Sequence, residues 1–316
     1  MLEIRYPHID PVAIDLPGPL DVRWYGLGYM VGFAVAYVIL RRLAQRRFLK
    51  MDPDAVGDLI FALVFGVILG GRLGYILFYK FSDFAANPLS IFRIWEGGLA
   101  FHGGLLGVML AGLWFARKHR LTFLHVADSL ALAVCPGIFT VRVANFVNGE
   151  LFGRVAGPDV PWAMRFPTDP VAAELLGTNA AGSLAERERM VEASYESGRW
   201  EQIQSQVPLR HPSQLYEAVG EGLLLGLALW AAYRWSSRRG HPVGQGFFGG
   251  IFMLGYGVAR TFVELFRQPD AQFTGNGDTL GTVLGPLTMG QTLSLVMIAV
   301  GIFLLVRARP GRVRAA

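Results

Sequence analysis

Charge is the scarcest feature of this sequence. Asp, Glu, Lys and Arg make up 17% of its 316 residues, where an ordinary globular chain carries about 25%. A soluble domain of this length would need more charge to cover its surface, so that class is set aside. Cysteine is nearly absent: Cys135 stands alone inside an apolar run, no intramolecular disulfide is available, and the redox compartment is left open. Nothing in the chain resembles a metal cluster, a P-loop or a nucleophile elbow, so neither metal nor cofactor is expected. No internal repeat is visible. The N-terminus lacks a basic segment ahead of an apolar stretch, so a cleaved signal peptide is not expected.

What the chain has is apolar sequence. Hydrophobic residues make up 53% and the mean hydropathy is +0.39. Apolar runs fall at about 24–40, 57–79, 97–116, 123–147, 214–233, 244–266 and 289–306. Each is near the roughly 20 residues that a bilayer requires. The expected fold is an all-α polytopic membrane protein of about seven transmembrane helices, a single integral membrane domain over residues 1–316. The net charge of +5 does not point to nucleic acid, because Lys and Arg lie in short clusters between apolar runs. Those clusters follow the first, third and fifth runs and close the chain, whereas the segment before the first run holds only Arg5 and Arg23. The positive-inside rule then places the N-terminus outside and the C-terminus in the cytoplasm. Residues 149–211 become a small outer insertion between spans 4 and 5, part of it helical at about 183–204. Gly66, Gly70, Gly71 and Gly74 in the second run let helices approach closely, and Arg72 should face other helices or headgroups.

With this topology Tyr25, His102, Arg142, Glu150, His211, Arg260 and Arg267 all fall in or just beyond the outer half of the membrane. Ionisable groups at that depth are expensive unless they have a partner or a function. Arg142, Asn145 and Gly149 are spaced i, i+3 and i+7, one helix face. Arg260, Glu264 and Arg267 are spaced i, i+4 and i+7, which pairs Arg260 with Glu264 and leaves a positive charge over, with Arg142 adding a second. Guanidinium forks bond phosphate bidentately, and lipid phosphate is the anion at this level. His102, followed by two glycines, is either a hydrogen-bonding group between helices or a proton acceptor that a ligand can approach. Asn145, Asn148 and Glu150 are either helix-end caps or ligand contacts. Cys135, deep in its span, reads as a buried small apolar residue and not as a nucleophile.

The segment Arg142-Val-Ala-Asn145-Phe-Val-Asn148-Gly149-Glu150-Leu-Phe-Gly153-Arg154 resembles the signature of the prolipoprotein diacylglyceryl transferases. The resemblance extends to Arg23-Trp-Tyr25-Gly26 and to Trp95-Glu-Gly-Gly-Leu-Ala-Phe-His102-Gly-Gly-Leu105. It continues through His211-Pro-Ser-Gln-Leu-Tyr-Glu217, Arg260-Thr-Phe-Val-Glu264-Leu-Phe-Arg267-Gln-Pro-Asp270 and Met289-Gly-Gln291. Val141, Ala144 and Ala259 stand where that family usually has glycine, and the stretch at about 172–206 is longer than typical.

The resemblance implies an enzyme of the bacterial inner membrane, with residues 149–211 in the periplasm. That enzyme transfers the diacylglyceryl group of phosphatidylglycerol to the lipobox cysteine of a prolipoprotein signal peptide. A thioether forms and glycerol phosphate leaves. His102, Arg142 and Arg260 would be catalytic: the arginines hold the phosphate and His102 serves as base, proton relay or headgroup ligand. Tyr25, Asn145, Glu150, Gly153, Arg154, Glu264 and Arg267, with Arg142, would bind the phospholipid or hold the arginines. Both substrates and the surrounding membrane lipids reach such a site laterally. A transporter or lipid-binding protein with a buried headgroup site is the alternative, although transporters often show two related halves.

Overall fold

The computed structural model describes residues 4–16, 21–92, 98–239, 243–269 and 281–308. The Trp95–Gly97 start of the third run, Asp270, the Gly275–Gly277 loop and the tail beyond Ala308 lie outside the described residues.

The described elements, in chain order, begin with strands β1 (Val12–Ile14) and β2 (Val22–Arg23), then helices α1 (Trp24–Gln45), α2 (Val56–Tyr79), α3 (Phe81–Ala86), α4 (Phe101–Lys118) and α5 (Phe123–Val147). Next come α6 (Pro170–Leu176), α7 (Leu184–Glu196), α8 (Arg199–Ile203) and α9 (Ser213–Glu217). A π-helical stretch, Ala218–Leu224, joins α9 to α10 (Leu225–Arg239). The chain closes with α11 (Phe247–Val263), strands β3 (Thr282–Leu284) and β4 (Leu287–Thr288), and α12 (Met289–Arg307). Among the described residues, five stretches are long and apolar enough to cross a membrane: Trp24–Gln45, Pro53–Tyr79, Phe123–Val147, Ser213–Arg238 and Met289–Arg307. The other two apolar runs fold as α4 and α11, which fall short of that standard. At 1.5 Å per residue, the 17 residues of α11 reach about 26 Å, against a hydrocarbon core of about 30 Å. The chain is an all-α, multi-pass membrane protein.

The chain divides into two units. One comprises Phe33–Ala133, Ser236–Gly249 and Arg307–Ala316. Here α2 and α4 meet along glycines: a Cβ at Gly70 or Gly107 would overlap the carbonyl of Gly103 or Gly66. This is the close approach expected of small residues in lipid. Arg72 is buried, and donates from Nε to the Ile91 carbonyl at 3.1 Å and from Nη1 to that of Gly98 at 3.4 Å. Buried Asp128 of α5 accepts from the amides of Gly246 and Gly249 at 2.7 and 2.8 Å. It thereby caps the start of α11, whose first amides have no partner within the helix.

The other unit comprises Met1–Gly32, Val134–Trp235 and Gly250–Val306. It carries the outer insertion of the sequence analysis, which has cores of its own. Ala172, Leu176, Trp200 and Val207 form one. Phe146, Met164 and Phe166, with Tyr6, Phe152 and Leu215, form the second. The helix expected at about 183–204 folds as α7 and α8. Ser183 starts it by accepting from the Glu186 amide at 3.2 Å, while Glu186 accepts from the Gly182 amide at 2.7 Å, a reciprocal cap.

Candidate functional site

The chemistry-bearing side chains of this second unit gather around one carboxylate, Glu217, which has no exposed side-chain surface. Arg260 of α11 reaches its Oε1 with Nη1 at 2.5 Å, and Arg267, just past the end of α11, reaches the same oxygen at 3.3 Å. Arg142 of α5 reaches Oε2 with Nε at 3.0 Å. Arg260 also contacts Glu264 at 2.9 Å, the i, i+4 pair read from the sequence. Glu264 accepts in turn from Thr288 Oγ1 at 2.9 Å. Glu221, one π-helical turn beyond Glu217, lies 3.8 Å from Arg142. Both its oxygens are buried, and the Tyr256 side chain of α11 is its hydrogen-bonding neighbour.

Among the described residues, carboxylates offset the positive excess expected from the sequence. Arg142, Arg260 and Arg267 face Glu217, Glu221 and Glu264, three charges of each sign. The physical reason is that a charge taken out of water must be compensated, and two of the compensating carboxylates come from a helix distant in sequence. Glu217 had entered only as part of a motif, and Glu221 not at all. Two carboxylates four apart inside an apolar run were the available signal. Glu217 directly precedes a π-helical stretch and Glu221 lies within it, a distortion frequent at functional sites. The arginines are not sealed completely: the Arg142, Arg260 and Arg267 side chains keep 19%, 16% and 11% of their exposure.

The signature continues past α5. That helix ends at Val147 and Gly149 turns left-handed at φ 65°, so Gly149 leaves the face it was expected to share with Arg142 and Asn145. Glu150 folds back and accepts from the side-chain amides of Asn145 and Asn148 at 2.8 and 3.3 Å. Its carbonyl accepts from Gln214 Nε2 at 2.7 Å. These are helix-end contacts, and they fix Asn145 three residues from Arg142. Gly153 pairs with Arg267 in an antiparallel bridge, where a Cβ would run into the Phe266 carbonyl. The Arg154 amide donates to that carbonyl at 2.7 Å. Gly153 and Arg154 thus tie the signature to the strand of chain that carries Arg267.

Tyr25 starts α1 in the same unit, its hydroxyl 3.4 Å from that of Tyr29. His102 is in the other unit, exposed on the first turn of α4, its ring edge-on to Phe101 at 5.6 Å. His211 is held by Tyr216 at 3.1 Å, and the Tyr216 hydroxyl also accepts from Trp162 Nε1 at 2.6 Å. Burial lowers the His211 pKa, which favours the neutral imidazole. Ala144 and Ala259, at positions read as departures from a glycine pattern, lie opposite Gly28 and Gly220, which absorb the extra methyl groups. Cys135 is buried against Gly226. Cys135→Ala should keep most of the parent activity at normal membrane levels; loss of activity would bring back a covalent mechanism.

A family model described as prolipoprotein diacylglyceryl transferase matches residues 11–307. A protein of Geobacter sulfurreducens is 46% identical over 299 residues, covering 95% of each chain. One of Gluconobacter oxydans is 44% identical, covering 98% of this chain and 97% of its own. One of Paraburkholderia phymatum is 45% identical, covering 97% and 96%. All three are named phosphatidylglycerol–prolipoprotein diacylglyceryl transferase.

Proposed function

The chain belongs to the prolipoprotein diacylglyceryl transferase family, and we propose that it moves the diacylglyceryl group of phosphatidylglycerol onto the lipobox cysteine of a prolipoprotein signal peptide. The observation that carries this reading is the convergence of Arg142, Arg260 and Arg267 on Glu217, with each arginine side chain still partly exposed. In the reaction the cysteine sulfur bonds to the glycerol carbon as that carbon's bond to the phosphate oxygen breaks. A phosphodiester with one negative charge leaves as glycerol phosphate with two, and the thiol proton passes to a base. Arg142 and Arg260 stabilise the charge that develops on the phosphate, and their glutamates fix them in advance so that little reorganisation is needed. Tyr25, Asn145 and Glu150 bind the glycerol hydroxyls or hold the arginines. Gly153, Arg154, Glu264 and Arg267 hold the binding surface in place. His102 takes the thiol proton, relays it or positions the headgroup. A free thiol has a pKa of about 8.5, so a nearby base or cation lowers the barrier.

The test is direct. Detergent-purified protein, phosphatidylglycerol and a lipobox peptide should yield a diacylglyceryl adduct by mass spectrometry. Binding of the lipid with no adduct would favour a transporter or lipid-binding role.

The site is placed at the outer face of the bacterial inner membrane, with the N-terminus and residues 149–211 in the periplasm and the C-terminus in the cytoplasm. The support is the crowding of Lys and Arg in the opposite loops. Ser183→Cys should react with an impermeant thiol reagent in intact spheroplasts and Ala316→Cys should not. Reversed labelling would overturn the orientation.

A further inference from the structure

The insertion and the N-terminal segment form an open cavity of about 490 Å³, lined by Arg5, Tyr6, His8, Arg165, Tyr195 and Trp200. Glu196 and Glu201 also border it. Its volume falls within the range of small-molecule and cofactor sites, about 300–1,000 Å³. Two arginines and two glutamates nearly cancel, so a lipid phosphate entering here would meet carboxylates as well as guanidinium groups. Several of the walls are fixed. Tyr195 stacks on His8 at 3.8 Å between ring centroids, and His8 is held by Glu192 at 2.8 Å. The guanidinium of Arg165 donates to the carbonyls of Ser205 and Val207. The Tyr195 hydroxyl, in contrast, is buried with no hydrogen-bond partner among the described residues. An unsatisfied buried donor is costly, and an acceptor supplied by a ligand would remove that cost.

The cavity is also joined to the signature. The Tyr6 hydroxyl donates to the carbonyls of Phe146 and Val147 at 2.7 and 2.8 Å, in the last turn of α5. Phe146 lies four residues beyond Arg142, about 6 Å along the helix axis. An extended polypeptide advances about 3.3–3.6 Å per residue, so a chain whose cysteine lies near Arg142 would reach the cavity within about six residues.

We propose that this cavity holds the stretch of the acceptor polypeptide that follows the reacting cysteine, a role that rests on the transferase reading. Its carbonyls accept from Tyr195 and the arginines, its amides donate to the glutamates, and its side chains lie on the aromatic faces.

The test uses the purified full chain, phosphatidylglycerol and two lipobox peptides. One ends directly after the cysteine and the other runs about eight residues further. The parent should show a kcat/KM about tenfold higher for the longer peptide, a difference of about 1.4 kcal/mol. Tyr195→Phe removes only the unpartnered hydroxyl, so a purely structural role makes it neutral or stabilising. Under the proposal, Tyr195→Phe and Arg5→Ala each shrink the advantage of the longer peptide and leave KM for phosphatidylglycerol unchanged. A parent that does not distinguish the peptides overturns the inference and leaves the transferase reading standing. Variants that instead shift KM for phosphatidylglycerol, or that change both peptides equally, overturn it too. A parent that modifies neither peptide overturns the transferase reading and this inference with it.

Discussion

Arg260→Ala is expected to lower the rate of diacylglyceryl transfer about a hundredfold to a thousandfold, the usual cost of removing one preorganised donor to developing charge. Arg260 is placed for this role by two carboxylates, Glu217 at 2.5 Å and Glu264 at 2.9 Å, while its side chain keeps 16% of its exposure. Arg260→Lys keeps the charge and loses the planar fork, so a single ammonium cannot reproduce the paired contacts while also meeting a phosphate. It should be intermediate or poor. Arg238, exposed near the end of α10 in a basic cluster, should tolerate alanine and serves as the control. Rates are to be compared at matched protein levels in the membrane. If Arg260→Ala turns over like the parent while Arg238→Ala fails, the site lies at the wrong end of these helices.

The helices were legible because apolar composition is a strong local signal. The run read at 123–147 is α5, Phe123–Val147, at both ends. Where boundaries moved, a distant residue moved them: α11 begins at Phe247 because Asp128 of α5 caps the amides of Gly246 and Gly249. The Arg260–Glu264 pair was legible for the same local reason, since four residues on a helix make neighbours. The centre of the site was not. Which carboxylate neutralises Arg142 depends on how α5 and α9 pack, and no spacing along the chain encodes that. The role of Gly153 was equally hidden, because its close approach is to the carbonyl of Phe266, more than a hundred residues away in sequence.

Glu217→Gln is the change expected to disturb the site most, because one carboxylate serves three guanidinium groups. Glutamine matches glutamate in size, so no cavity opens and only the charge is lost. Arg142, Arg260 and Arg267 then face one another with Glu221 and Glu264 as the remaining carboxylates. Removing one partner from a buried ion pair costs about 3–5 kcal/mol, far more than an exposed pair is worth, because the other charge stays buried and uncompensated. The variant should melt at a lower temperature in detergent and lose most of its transfer activity. Glu217→Asp keeps the charge but is one methylene shorter and cannot reach all three arginines at once, so it should fall between the parent and the glutamine variant. Glu188→Gln is the comparison. It breaks the bidentate Arg23 pair, whose side chains keep 29% and 22% of their exposure, so water can solvate the arginine left behind and the loss should be smaller. A Glu217→Gln protein with the parent's melting temperature and rate would mean that the three arginines do not depend on this carboxylate, and the arrangement proposed for the site would fall.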